Sequence, residues 1–146
     1  MKAPTAGMLG IAPHSGWAAA ALVAGTPLEP RVILRERLEL SDTRLAGSKQ
    51  PYHELEGLPL AQAQRQLARL CTSAGGLAQS ALRSLLERAQ TAGVEPRAAG
   101  ILDSSGRSGA TVTALGRGMG SPWGADQKDA ALLTWLLLAA HTTTAV

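Results

Sequence analysis

The spacing of apolar positions changes from one stretch of the chain to the next, and each change predicts a different element. Residues 8–12 and 17–24 are short, nearly continuous apolar runs that read as buried strands, joined by a connection of hairpin length at residues 13–16. Alanine runs also suit helices, but Gly16 and Gly25 bracket the second run too closely for a stable one. Pro27 and Pro30 supply the next turn. Residues 31–40, RVILRERLEL, then alternate: Val32, Leu34, Glu36, Leu38 and Leu40 share one face, and Arg31, Ile33, Arg35, Arg37 and Glu39 the other. A period of two with one mostly charged face predicts a half-exposed strand, the third of three consecutive antiparallel strands.

After a polar loop over residues 41–57, Pro59 opens the longest helical pattern. Leu60, Ala63, Leu67, Leu70, Ala74, Leu77, Ala81, Leu85 and Ala89 recur at steps of three and four and so form one stripe. Gly93 is placed to cap this helix, and Gly75-Gly76 predicts a bend or break in its middle. A short strand at residues 97–103 follows. Strand, long helix, strand implies a right-handed crossover and parallel pairing. Residues 106–125 are a Gly-rich irregular segment with one short strand around 111–115. The last element is a helix over 126–141, capped by Asp126 and apolar around most of its circumference, so it should be buried or paired. The expectation is a single α/β domain spanning residues 1–146.

Composition narrows this picture. With 45% hydrophobic and 17% charged residues the chain should fold, and with no Phe its core must be aliphatic, with Trp17, Trp123 and Trp135 as the few large pieces. The formal charge is +3, which permits an anionic partner without demanding one. Cys71 is the single cysteine, which excludes a disulfide framework and a thiolate zinc site; it falls on the helical stripe and reads as a packing residue. Pro13, His14 and Ser15 interrupt the N-terminal apolar stretch where a signal peptide would be continuous, and residues 130–140 are too short to span a bilayer. A cytoplasmic protein without membrane contact is expected.

The order of three antiparallel strands, helix, parallel strand and final helix resembles the ribonuclease H-like architecture, and the opening is similar to that of Holliday-junction resolvases. In those proteins a first strand ends in Gly-Ile-Asp-Pro-Gly-Ser and a hairpin returns into a Gly/Ala-rich second strand. The matching residues here are Gly10, Ile11, Ala12, Pro13, His14 and Ser15, followed by Gly16. The resemblance implies a nuclease whose carboxylates hold Mg²⁺ or Mn²⁺ against the attacking and leaving phosphate oxygens. Carried over by position, the first acid falls on Ala12 and is missing, the acid after the fourth strand is Asp103, and the acid of the final helix is Asp129. Loss of the first acid, which bridges both metals in the family, counts against nuclease activity. Asp103 also precedes Ser104-Ser105-Gly106 and reads equally as a turn residue, and Asp129 suits the first turn of any helix.

A second, more local resemblance is to an uncharacterised family of small bacterial proteins. It rests on HSGWA at residues 14–18, QPYH at 50–53, LPLAQAQ at 58–64 and the turn Ser105-Gly106-Arg107. Members continue into a His-rich and Glu-rich tail, whereas this chain reads GRGMGSPWGADQKDAALL, as a divergent or frame-altered C-terminus would. The resemblance brings no activity with it.

His14, Ser15, His53 and Asp103 are the polar groups best able to converge, because open sheets place ligands at strand ends and Tyr52-His53 can fold over that edge. A histidine there can serve as general base or metal ligand; the same residues at 13–16 read equally as a plain hairpin turn. A Ser15–His14/His53–Asp103 triad lacks the Gly-x-Ser-x-Gly elbow, and GRGMG lacks the Lys-Ser/Thr pair of a phosphate loop.

Three expectations follow. The first is a non-catalytic binding or assembly domain without a cofactor, in which Ser15, His53 and Arg107 contact nucleic acid or another phosphate-bearing ligand. The second is a divergent metal-dependent phosphodiesterase, with His14, Asp103 and Asp129 catalytic and Asp103 and Asp129 holding the metal. The third is an interaction protein that pairs with a second copy through its final helix.

Overall fold

The computed structural model describes residues 3–101 of the chain. The segment 106–125, the strand expected at 111–115, the helix expected at 126–141 with Trp135, and the site candidates Asp103, Arg107 and Asp129 lie outside the described residues.

Three long strands come first: β1 (Thr5–His14), β2 (Trp17–Gly25) and β3 (Pro30–Glu39). A short helix α1 (Pro51–Leu55), a long helix α2 (Leu60–Thr91) and a strand β4 (Val94–Ile101) follow. The sheet order is β3-β2-β1-β4, with β1–β2 and β2–β3 antiparallel and β4 parallel to β1. This is the α/β arrangement that the alternation of short apolar runs and the long stripe predicts. No helix among the described residues is long and apolar enough to cross a membrane.

The alanine-rich β2 is a strand because of its setting. Tight turns hold both of its ends, and Ala18 to Ala24 are all at most 1% exposed, so small side chains are favoured on both faces. The even-numbered face forms a flat floor for α2. Leu85 packs on Leu9, Ala18, Ala20 and Leu38, and Ala89 on Leu22, Ala24 and Val94. Met8, Ala12, Ala19, Ala21 and Val23, which alternate with these, are equally buried.

Two register shifts modify the pattern. Between Leu22 and Val23 the pairing on β3 skips Ile33, a bulge that swings Ile33 in beside Leu34 against the Leu22 cluster. Strict alternation puts Ile33 among the charged residues, and the bulge corrects this. Glu36, which alternation places on the apolar face, meets the Arg88 guanidinium of α2 there in an ion pair. A second shift, between Gly7 and Met8, leaves Arg97 of β4 without a β1 partner, and Pro96 beside it pairs with Gly7. Pro96 therefore sits within a strand that begins at Val94, three residues earlier than the sequence suggests, because a bulge on a strand at one end of the described sheet tolerates a missing N–H.

Other boundaries are corrected in the same way. β1 runs through Pro13 to His14, where the expected strand stops at 12, so the hairpin connection is only Ser15-Gly16. Residues 51–55 are helical rather than loop, since Pro51 at the first position presets the backbone angle. Cys71 is exposed, not a packing residue. Trp17 is only half-buried and lies outside the aliphatic core.

Gly75-Gly76 does not break α2, which is continuous over 32 residues and closes at Ala92 and Gly93. Both glycines face solvent with open space where a Cβ would stand. They cost helix propensity without altering the path, roughly 1 kcal/mol each relative to alanine. Gly75→Ala and Gly76→Ala are therefore expected each to stabilise the fold by roughly 1 kcal/mol. Urea unfolding of the single and double variants checks this; destabilisation by either would place something against that face of α2.

Candidate cleft between the first hairpin and the first helix

At one end of the sheet the β1–β2 turn, the end of β3 and the segment leading into α1 enclose a cleft of about 470 Å³. Its walls include His14, Ser15 and Gly16 from the turn, Lys49, Gln50, Tyr52 and His53 from the segment, and Ala74 of α2. His14, Ser15 and His53, far apart in sequence, thus line one cavity. β4 runs parallel to β1 toward the same end, and its last described residue, Ile101, pairs with Ile11.

Local chemistry builds each wall. Gly16 takes φ +79° at the second turn position, a conformation that glycine alone adopts cheaply. A Cβ there would lie 3.2 Å from Ser41 Cβ and 3.3 Å from Lys49 Cα, so the bare glycine lets the turn nest under the loop. The Leu40 N–H donates to the Gly16 carbonyl at 2.8 Å, tying the turn to the end of β3. Opposite, the Arg44 guanidinium forks onto Asp42 at 2.8 and 3.0 Å while the Arg44 N–H donates to the same carboxylate. These hydrogen bonds from Arg44 hold the Asp42 carboxyl below its usual range. A lowered carboxyl contributes stability above its unfolded value and loses it as the pH falls through the folded one, so the loop stays pinned at neutral pH and loosens only in acid. The Ser48 hydroxyl donates to the Asp42 carbonyl at 2.7 Å, which makes Ser48 part of the frame.

His14 is held by a cross-strand stack. Its ring lies parallel to that of Trp17, with centroids 4.2 Å apart and an interplanar angle of 11°. The Arg37 guanidinium sits 3.9 Å over Trp17, and Arg37 in turn pairs with Glu39. The strand order puts His14 on β1 and Arg37 on β3 at either side of Trp17, so the indole is sandwiched and serves as a support for His14.

The electrostatic character of the cleft is plain. Lys49 brings an ammonium group, His14 and His53 bring imidazole rings, and Ser15, Gln50 and Tyr52 add neutral donors, while no carboxylate lines the wall among the described residues. Such a lining favours an anion. His14, Ser15, His53 and Tyr52 are visible as candidates in the sequence, whereas Lys49 and Gln50 are not. Their signal was their place directly before Pro51-Tyr52-His53, inside a loop whose path no periodicity reveals. Among the described residues no group of three His, Cys, Asp or Glu side chains could hold a metal ion, and Ala12, at the position of the family's first acid, is buried. Asp103 and Asp129, the other two acid positions that the resemblance gives, lie outside the described residues. Neither protein-family models nor curated proteins match this sequence, so what the cleft binds is read from its own side chains.

Proposed function

We propose that this chain is a ribonuclease H-like domain that binds a phosphate-bearing ligand without cleaving it. His14, Ser15, Lys49 and His53 are the groups that hold the ligand. The observation that carries this reading is the cleft itself, in which a lysine, two imidazoles and three neutral donors face one space with no carboxylate among the described residues of its lining. Strand order and direction support the resemblance, because an antiparallel meander followed by a strand parallel to β1 is the arrangement that it implies. The alanine at position 12 supports the non-catalytic part: a buried methyl group provides no oxygen for a cation.

The test is calorimetric titration of the full chain with inorganic phosphate and pyrophosphate. Binding is expected, and Lys49→Ala should weaken it about tenfold, the worth of one charge-assisted contact. Absence of heat with either anion would refute the reading. The divergent nuclease is kept as a second reading by one observation, β4 heading beside β1 toward the His14 end, with Asp103 two residues beyond Ile101. Cleavage of labelled DNA in Mn²⁺ or Mg²⁺ that Asp103→Asn or Asp129→Asn abolishes would establish that reading in place of the first.

A further inference from the structure

The cleft's anion-binding character rests on the reading above; its surroundings say which kind of phosphate it takes. The segment 48–53 is a ridge with a cavity on each side. Beyond it lies a second cleft of about 540 Å³, lined by Thr43, Leu45, Gly47 and Glu54 together with the ridge residues Lys49 and His53. Among the described residues, crossing the ridge adds no new cation, and it adds the Glu54 carboxylate. Arg44 and Arg69 line a third, smaller cleft, where the Arg44 guanidinium is already forked onto Asp42. A strand of phosphodiesters leaving the first cleft by this route would bring its next negative charge toward Glu54. Among the described residues the charge pattern therefore suits a ligand with a terminal phosphate whose adjoining part, the part seated in the cleft, is uncharged.

The rest of the first cleft suits such an adjoining part. Leu40, Pro51 and Ala74 give it an apolar side, and a volume of about 470 Å³ falls in the range of small-ligand sites. At its rim the Tyr52 ring is 79% exposed, a large aromatic surface left in water beside the cavity. Tyr52 offers a flat face on which a planar ring can stack, and every base-like ring has a matching face. We infer that the cleft recognises a terminal phosphomonoester attached to a ring-bearing body, with the phosphate on Lys49, His14 and His53 and the ring on Tyr52. A free mononucleotide and the 5′-phosphorylated end of an oligonucleotide share this chemistry.

Calorimetry on the full chain distinguishes the cases, using adenosine 5′-monophosphate, adenosine, inorganic phosphate, and one tetranucleotide with and without a 5′-phosphate. The monophosphate should bind at least tenfold more tightly than inorganic phosphate or adenosine, and the tetranucleotide should bind only when phosphorylated. Weaker binding of the phosphorylated tetranucleotide than of the monophosphate would make the free nucleotide the ligand; equal binding would make it any 5′-end. Tyr52→Ala, at an exposed position whose loss leaves the fold intact by circular dichroism, should weaken the monophosphate about tenfold and leave inorganic phosphate unchanged. Lys49→Ala should weaken both. Equal binding of the two tetranucleotides, or a Tyr52→Ala variant with unchanged affinity for the monophosphate, would overturn this inference while leaving a phosphate-binding cleft. Failure of every phosphate compound to bind would remove both.

Discussion

Leu85→Ala should destabilise the protein by about 3 kcal/mol, within the range measured for buried leucines. Leu85 is 1% exposed and is the most deeply buried leucine of α2, seated against Leu9, Ala18, Ala20 and Leu38. The alanine floor makes the loss severe. Ala18 and Ala20 are methyl groups on a central strand paired on both sides, and they have no rotamers with which to fill the space left behind. The next residue provides the comparison: Leu86 is 47% exposed, and Leu86→Ala should change stability by less than about 0.5 kcal/mol. Urea unfolding midpoints with unchanged slopes would measure both. A cost below about 1 kcal/mol at Leu85 would mean that α2 is not seated as described.

Gly25→Ala should cost a similar amount, about 3 kcal/mol, for a different reason. The residue closes β2 with φ +103°, outside the conformations that L side chains favour, and a Cβ built there runs into the Glu29 carbonyl oxygen. Two costs add, backbone strain and a collision with backbone that cannot rotate away. The turn it would disturb is held by reciprocal Thr26–Glu29 backbone hydrogen bonds and by the Thr26 hydroxyl, which accepts from the Glu29 N–H at 3.1 Å. Gly57→Ala separates the two costs. Its φ is +81° with nothing within 4 Å of the added atom, so only strain of about 1 kcal/mol should appear. Equal melting temperatures for the two variants would show that the Glu29 collision is relieved at no cost.

The elements that could be read directly from the sequence are those with a strong period and a sharp boundary. The β2 alanines between two glycines, the charged and apolar alternation of β3, and the stripe from Leu60 to Ala89, except that Leu60 itself is exposed, reappear in the fold, as does the crossover to a parallel β4. What the sequence hid depends on tertiary context. A bulge is an insertion in pairing, so Ile33 and Arg97 carry no mark of it until β2 and β1 lie beside them. Pro96 reads as a strand breaker in isolation and is harmless where its missing N–H is not needed. Gly75-Gly76 reads as a helix breaker, yet two long flanking segments keep the hydrogen-bond ladder intact at a cost of propensity alone. The site was half legible for the same reason. His14, Ser15 and His53 stand out as polar residues next to turns, but Lys49 joins them through the loop held by Asp42, Arg44 and Ser48, a nonperiodic fold of the chain.

The bulge at Ile33 also affects how the protein meets copies of itself. β3 forms one end of the described sheet, and a flat terminal strand presents a row of backbone donors and acceptors to which a neighbouring chain can add. Doubling one residue at Ile33 throws that row out of register midway, and Arg31 and Arg37 on the same strand are exposed, so a second β3 laid alongside in parallel register would set like charges against each other. The shift that packs one extra isoleucine against the core thereby also makes β3 a poorer template for strand addition by a second chain.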